Sequence, residues 1–193
     1  ENGKVSGGVA GDQTGLEVAI EPWYLHSKGW VIIRAKDDAV RERIAQCMEA
    51  ACANDNIGYN QDGGWGVYDL SKPYGWDCSK ISKPCSSDCS NLVRTCIAYA
   101  IQKAVQWFST LNEVVVLSAL DIFEIITDAK YTKTDAYLKR GDILCTCTQG
   151  HTVVVLDNGS AVSGSTSKPL EGNTSFCGKG IGTAVAKTAM HIR

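Results

Sequence analysis

A cysteine at the predicted start of a helix is the residue in this sequence best placed to do chemistry. Cys89 follows Ser87 and Asp88, either of which suits a helix N-cap. From Leu92 to Val105, apolar residues recur at helical spacing. Unpaired backbone N–H groups and the helix dipole stabilise an anion in a first helical turn. We therefore predict that the pKa of Cys89 lies below the ordinary value of about 8.5 and that its thiolate is a nucleophile. The alternative is a buried structural cysteine.

A cysteine nucleophile needs a base, and the chain offers three histidines, His26, His151 and His191. We predict that His151 begins a strand directly after a glycine turn, where its ring can face a cleft. His26 lies in a predicted turn and His191 near the end of the sequence. His151 is therefore our candidate base, with a surface-exposed histidine as the alternative.

The group that would orient the imidazole stays open in the sequence. A predicted hairpin at Asn158-Gly159 returns the chain toward His151, which brings Ser163 close to the ring. Residues of the glycine-rich opening loop, such as Gln13, are further candidates. None of the returning residues is the carboxylate or amide that this role prefers.

Hydrophobic patterns predict the elements that position these residues. The predicted helices start at Asp37 or Asp38, at Cys89 and at Val114, the last running to Ile126 with strand as the alternative for its valines. A long glycine- and aromatic-rich loop is predicted from Tyr59 to Pro84. The predicted strands are Trp30–Arg34, 143–147, 151–156 and 161–163. Helices followed by an antiparallel meander indicate the α+β class.

Composition narrows the functional classes. The 193 residues are 44% hydrophobic, which suits one substantial core, and the net charge of −2 argues against nucleic acid or an anionic membrane as partner. No run reaches the roughly 18 apolar residues of a membrane span, and the first residues lack signal-peptide character. Nine cysteines leave at least one thiol without an intramolecular disulfide partner. A local disulfide between Cys78 and Cys85 is one hypothesis, and a zinc module is a weak alternative.

Three motifs in this order resemble a known family. They are Asp88-Cys89-Ser90-x-Leu92-Val93, Arg140-Gly141-Asp142-Ile143-Leu144 and Gly150-His151-Thr152-Val153-Val154-Val155. The combination is similar to the NlpC-type papain-like cysteine peptidases and amidases that cut bacterial peptidoglycan, and most similar to phage-encoded lysins. The resemblance covers roughly residues 57–163.

The resemblance implies a papain-like fold with N-terminal helices on a small antiparallel sheet. It implies that Cys89 is the nucleophile, that His151 is the general base and that a third polar residue falls at or near Ser163. Family members usually carry His, Asn or Gln there, and many place a tyrosine in the cleft, which Tyr59 matches. We further expect substrate contacts from three residues besides Tyr59, namely Asp88, Ser90 and Gln13.

The expected activity is hydrolysis of an amide bond in the stem peptide or cross-bridge, without metal or cofactor. An N-acetylmuramoyl-L-alanine amidase and a non-catalytic wall-binding module are the alternatives. We expect a bacteriolytic monomer that acts on the wall after release by phage lysis or after export. We assign residues 1–164 to the catalytic domain and 165–181 to a linker. Residues 182–193 resemble the first strand of a bacterial Src-homology-type β-barrel that binds cell walls; the alternative is an ordinary C-terminal strand.

Overall fold

A computed structural model describes residues 18–61, 65–162 and 184–188 of the chain. The strands are β1 (Val18–Pro22), β2 (Trp30–Ala35), β3 (Ile57–Tyr59), β4 (Cys85–Ser87), β5 (Phe123–Ile126), β6 (Ile143–Thr146), β7 (Thr152–Val155) and β8 (Ala184–Thr188). The α-helices are α1 (Asp38–Cys52), α2 (Gly66–Ser71), α3 (Cys89–Ile101), α4 (Glu113–Ser118) and α5 (Ala129–Thr132). Short 3-10 helices cover Lys72–Tyr74 and Cys78–Lys80.

Six strands form one antiparallel sheet in the order β1-β8-β7-β6-β2-β5. The two remaining strands, β3 and β4, pair in parallel in a separate small sheet. Helices and a mainly antiparallel sheet together agree with the predicted α+β class. No helix in the described part of the chain is long and apolar enough to span a membrane.

Two helices, α1 and α3, make the main core with the sheet. On α1, Ile44 and Met48 are fully buried, and Asp37 caps the first turn by accepting the Ala39 N–H at 2.7 Å. On α3, Leu92 and Ile97 are equally buried. The apolar spacing that predicted both helices therefore corresponds to real packing faces, and the predicted strands at β2, β6 and β7 are confirmed as well.

Two segments differ from the prediction. The stretch 59–84 is not one loop, because it contains the end of β3, helix α2 and two 3-10 turns. The predicted helix over 114–126 is instead a short helix, α4, followed by strand β5. Residues 119–122 separate the two elements, and Phe123–Ile126 pairs with β2, so strand pairing overrides the helical spacing there.

The predicted hairpin after β7 is also wrong. Gly159 donates its N–H to Leu138 O, and Ala161 donates to Ala136 O, each at 2.8 Å. The chain therefore turns onto residues 136–138 instead of returning along β7. In the main sheet, β7 lies between β6 and β8. Ser163, which the hairpin was expected to bring back, lies outside the described residues.

Strand β8 lies within the segment 182–193 that we expected to begin a wall-binding module. It pairs with β1 and with β7 inside the main sheet. This pairing does not support a separate module, which stays a prediction. The expected linker over 165–181 falls outside the described residues.

The Arg140-Gly141-Asp142 motif ties β6 and β7 to α1. Arg140 donates to Glu42 Oε2 at 2.8 Å and to Glu49 Oε1 at 2.5 Å, both on α1. Gly141 has φ +84°, and a Cβ there would lie 2.0 Å from the Arg41 carbonyl oxygen, so only glycine fits. Asp142 is fully buried and accepts two hydrogen bonds from the Arg34 guanidinium.

We predict that Asp142→Ala lowers the free energy of unfolding by about 3–5 kcal/mol, because it leaves the buried Arg34 guanidinium without its carboxylate. Asp121→Ala is the control, since Asp121 is exposed and pairs with Lys36 at the surface; its free energy of unfolding should stay close to that of wild type. Urea unfolding followed by tryptophan fluorescence measures both. Equal small losses would contradict the buried pair.

Candidate active site

Cys89 is the first residue of α3, and Asp88 is the N-cap. Asp88 Oδ1 accepts the Asn91 N–H at 2.7 Å and the Ser90 hydroxyl at 2.8 Å, while Oδ2 accepts the Asn91 side-chain amide at 2.9 Å. These bonds explain why the helix starts here. They also engage the side chains of Asp88 and Ser90 within the cap, and substrate contacts by these two residues stay a prediction.

Residues from both motifs meet at the Cys89 sulfur. Backbone N–H groups of Thr152 and Ser90 donate hydrogen bonds to it. Thr152 is the first residue of β7 and directly follows His151. The sulfur of the candidate nucleophile therefore contacts the residue next to the candidate base. The structure therefore brings together the two elements that sequence spacing alone left more than 60 residues apart.

His151 is 3% exposed, and its backbone is held by Thr146. Thr146 Oγ1 accepts the His151 N–H at 2.9 Å, and Thr146 N–H donates to the His151 carbonyl at 3.0 Å. These bonds close the β6–β7 connection just before Thr152. The position of the His151 backbone is therefore set by the hairpin itself.

Tyr59 lies near the candidate nucleophile. It ends β3 and pairs in register with Ser87, two residues before Cys89. Burial raises the pKa of the Tyr59 hydroxyl, and the charges of Cys89 and Asp88 add to this effect. Tyr59 is thus a neutral phenol beside the thiol, which is the neighbourhood that the sequence resemblance implied.

The sequence did not single out Glu113, a buried acid at the site. Glu113 is 0% exposed, and its Oε1 accepts the Thr152 hydroxyl at 2.8 Å. An acidic residue in the first turn of a short helix ordinarily suits an exposed cap, so its type gave no sign of burial. Only its hydrogen bond to Thr152 of β7 and its burial in the structure reveal it.

The prediction of a lowered thiol pKa is wrong in direction. Burial raises the pKa of Cys89 to about 12, and the negative charges of Asp88 and Glu113 act the same way. The N–H groups of Thr152 and Ser90 lower it, but by less. Removal of the sulfur from water outweighs the helix N-terminus here, and the resting thiol is neutral.

Two residues predicted at the site, Gln13 and Ser163, lie outside the described residues. Cys78 and Cys85 are both free thiols, so the proposed disulfide between them is absent; Cys78 lies 3.6 Å from the Cys47 sulfur instead. Within residues 18–61, 65–162 and 184–188, no group of three or more His, Cys, Asp or Glu could hold a metal ion.

We predict that iodoacetamide alkylates Cys89 slowly at pH 7 and that its rate rises about tenfold per pH unit between pH 6 and 7, because a thiol with a pKa near 12 is ionised in proportion to hydroxide. The exposed Cys147 serves as the internal control for reagent quality. Peptide mass spectrometry reports both rates. A fast, pH-independent rate at Cys89 would instead indicate a preformed thiolate.

Comparison with known proteins indicates the family of this chain. No curated protein and no solved structure matches the chain significantly. A family model described as "Endolysin-like domain" matches residues 1–162 and therefore includes Cys89, His151, Tyr59 and Glu113. Since this match covers most of the chain, the protein belongs to the endolysin-like domain family, which indicates a function in lysis of the bacterial cell wall.

Proposed function

We propose that this endolysin-like domain hydrolyses an amide bond in the stem peptide or cross-bridge of peptidoglycan, with Cys89 as nucleophile and His151 as general base. The observation that carries the proposal is the hydrogen bond from the Thr152 N–H to the Cys89 sulfur. It puts the thiol at the start of the strand that His151 precedes. A cysteine at a helix start beside a histidine is the arrangement that nucleophilic amide hydrolysis requires.

The same features support an NlpC-type papain-like architecture. The nucleophile stands at the head of α3, and that helix packs against an antiparallel sheet whose strand β7 begins just after the histidine. The order of nucleophile, Arg-Gly-Asp motif and histidine along the chain matches the order in that family. We propose this architecture as the more specific form of the endolysin-like domain.

In the first step, the Cys89 proton moves to the His151 imidazole as the sulfur attacks the amide carbonyl carbon. A neutral resting thiol makes this transfer part of the attack, because an isolated thiolate in this buried position is unfavourable. Helix geometry gives the N–H group of Cys89 no acceptor within the helix, so it is suited to hold the oxyanion. Such a donor typically contributes about 2.7–4 kcal/mol to transition-state stabilisation.

In the second step, the His151 imidazolium gives its proton to the leaving amine, and an acyl-enzyme thioester remains on Cys89. The neutral imidazole then takes a proton from water, whose oxygen attacks the thioester carbonyl. Collapse of that intermediate releases the carboxylic acid and returns the proton to the thiol. No metal or cofactor takes part.

The remaining parts of the proposal concern substrate and setting. Tyr59 lines the cleft on the β3 side, Ser163 orients the imidazole, and Gln13, Asp88 and Ser90 contact the substrate. The protein acts as a monomer on the wall, which it reaches after release by lysis or after export.

We predict that Cys89→Ala lowers the rate of peptidoglycan hydrolysis by at least about a thousandfold, because the covalent step is lost. His151→Ala should cost about a hundredfold to ten-thousandfold, since it removes the general base. Cys147→Ala is the matched control, because it removes an exposed thiol of the β6–β7 turn, and it should keep wild-type activity. Turbidity loss and mass spectrometry of products from several purified Gram-positive walls, under reducing conditions, measure all four proteins.

The product masses identify the bond. Free stem-peptide fragments with a new carboxylate inside the peptide identify an endopeptidase, whereas release at the lactyl group identifies an N-acetylmuramoyl-L-alanine amidase with the same Cys-His chemistry. Equal activity of wild type and Cys89→Ala would refute the cysteine mechanism. Sedimentation of both proteins with walls, without products, would favour a wall-binding module for those walls.

A further inference from the structure

Glu113 is a carboxyl group that the mechanism above does not use. It opens α4 and is 0% exposed. Its Oε1 accepts the Thr152 hydroxyl, and the Cys145 thiol of β6 lies beside the carboxyl. Its Oε2 is buried and has no hydrogen-bond partner among the described protein atoms.

Burial of this carboxyl group destabilises the folded protein. Burial of a polar atom without a partner costs about 1–3 kcal/mol, and an uncompensated charge costs more. A glutamine at this position would avoid the cost of a charge, and a leucine would avoid burying the unpartnered oxygen. The retention of an acid in this fully buried position is explained if the acid serves the neighbouring site.

Thr152 connects Glu113 to the nucleophile. Its hydroxyl donates to Glu113 at 2.8 Å, while its backbone N–H donates to the Cys89 sulfur. One residue thus contacts the buried acid with its side chain and the thiol with its main chain. Any rotation of the Thr152 main chain moves His151, the preceding residue.

The segment before α4 holds the other flank of His151. Thr110 Oγ1 accepts the Gly150 N–H at 3.1 Å. Thr110 and Glu113 therefore hold the residues on either side of His151 from one short stretch of chain. This stretch acts on the candidate base through its two sequence neighbours.

We propose that Glu113 is a positioning residue of the active site, which holds the His151–Thr152 strand start against Cys89 and, through its protonation state, controls how readily Cys89 ionises. The proposal rests on the proposed function for its activity readout only. Glu113 acts through Thr152 and does not touch the substrate.

Electrostatics around the carboxyl support the second half of the proposal. It faces Asp88 and Cys89 from α3, Cys145 from β6 and Thr152 from β7. Burial raises the pKa of Glu113 to about 8, with the Thr152 hydroxyl and the nearby Cys145 thiol opposing the rise and the charge of Asp88 adding to it. Below that pH the acid is neutral; above it, the new negative charge opposes the Cys89 thiolate.

The test compares Glu113→Gln, Glu113→Ala and Thr152→Val with wild type. Glutamine keeps an oxygen for the Thr152 hydroxyl but cannot ionise, whereas alanine and the Thr152→Val change both remove the hydrogen bond. Glu124→Gln, an exposed glutamate of β5, is the control. Each variant is assayed on purified peptidoglycan from pH 5.5 to 9.5, and Cys89 alkylation by iodoacetamide is followed over the same range.

We expect Glu113→Ala and Thr152→Val to lower kcat about tenfold to a hundredfold with little change in KM, since the reacting groups are misplaced. We expect wild-type kcat/KM to fall above about pH 8, and Glu113→Gln should keep near wild-type kcat at pH 6 and lack that fall. Its Cys89 alkylation above that pH should be about threefold to tenfold faster than in wild type. The Glu124→Gln control should match wild type in every readout.

Wild-type kcat in Thr152→Val, together with a wild-type pH profile and alkylation rate in Glu113→Gln, overturns the proposal. Should Glu113→Ala fail to fold, Thr152→Val supplies the same test, because it removes the hydrogen bond without changing the buried acid. Activity that survives Cys89→Ala overturns the proposed function instead. The alkylation profile needs no substrate, so it still decides the electrostatic role of Glu113 in that case.

Discussion

The burial of α3 on almost every side is the constraint on which the rest of the structure depends. From Cys89 to Ala100, every residue is buried except Arg94 and Tyr99. A helix surrounded in this way depends on nearby protein groups for its hydrogen bonds. Asp88 accepts the Asn91 N–H in the first turn, and the Thr95 hydroxyl donates to the Asn91 carbonyl at 2.7 Å. The packing that stabilises the core thus also carries the thiol into a place where strand β7 can reach it.

The same burial opposes the chemistry that the site is proposed to perform. A sulfur removed from water resists ionisation, and the cap carboxylate of Asp88 adds to that resistance while it stabilises the helix. One group therefore stabilises the fold and disfavours the thiolate. The compensation available nearby consists of two N–H donors at the sulfur and the histidine that precedes Thr152. A neutral thiol that loses its proton only as it attacks is the state that this balance favours.

Local patterns predicted the parts of the fold and site that rest on local physics. Helices α1 and α3 carry regular apolar spacing and an Asp N-cap, and both were predicted to start at or next to those aspartates. The roles of Cys89, His151 and Tyr59 stay predictions. Strands β3 and β4 are three residues each and pair only because distant segments meet. Hydrophobic periodicity therefore does not predict them. The role of β8 as the neighbour of β7 is equally non-local. Glu113 and the raised pKa of Cys89 depend on burial, which residue type and spacing do not report.

Of the motifs behind the family resemblance, two contain the candidate catalytic residues and one makes only structural contacts. In the Arg140-Gly141-Asp142 motif, the arginine bridges to α1, the glycine fits against the Arg41 carbonyl and the aspartate pairs with Arg34. None of these contacts touches the thiol. Yet Gly141 N–H donates to Val155 O, and Val155 N–H donates to Asp142 O, each at 2.8 Å. These bonds hold the far end of β7, and Thr146 holds His151 just before the start of β7. The motif therefore helps to set the position of His151 relative to α3. A resemblance carried partly by scaffold residues is therefore informative about the site, because the distance between nucleophile and base depends on how that strand is anchored.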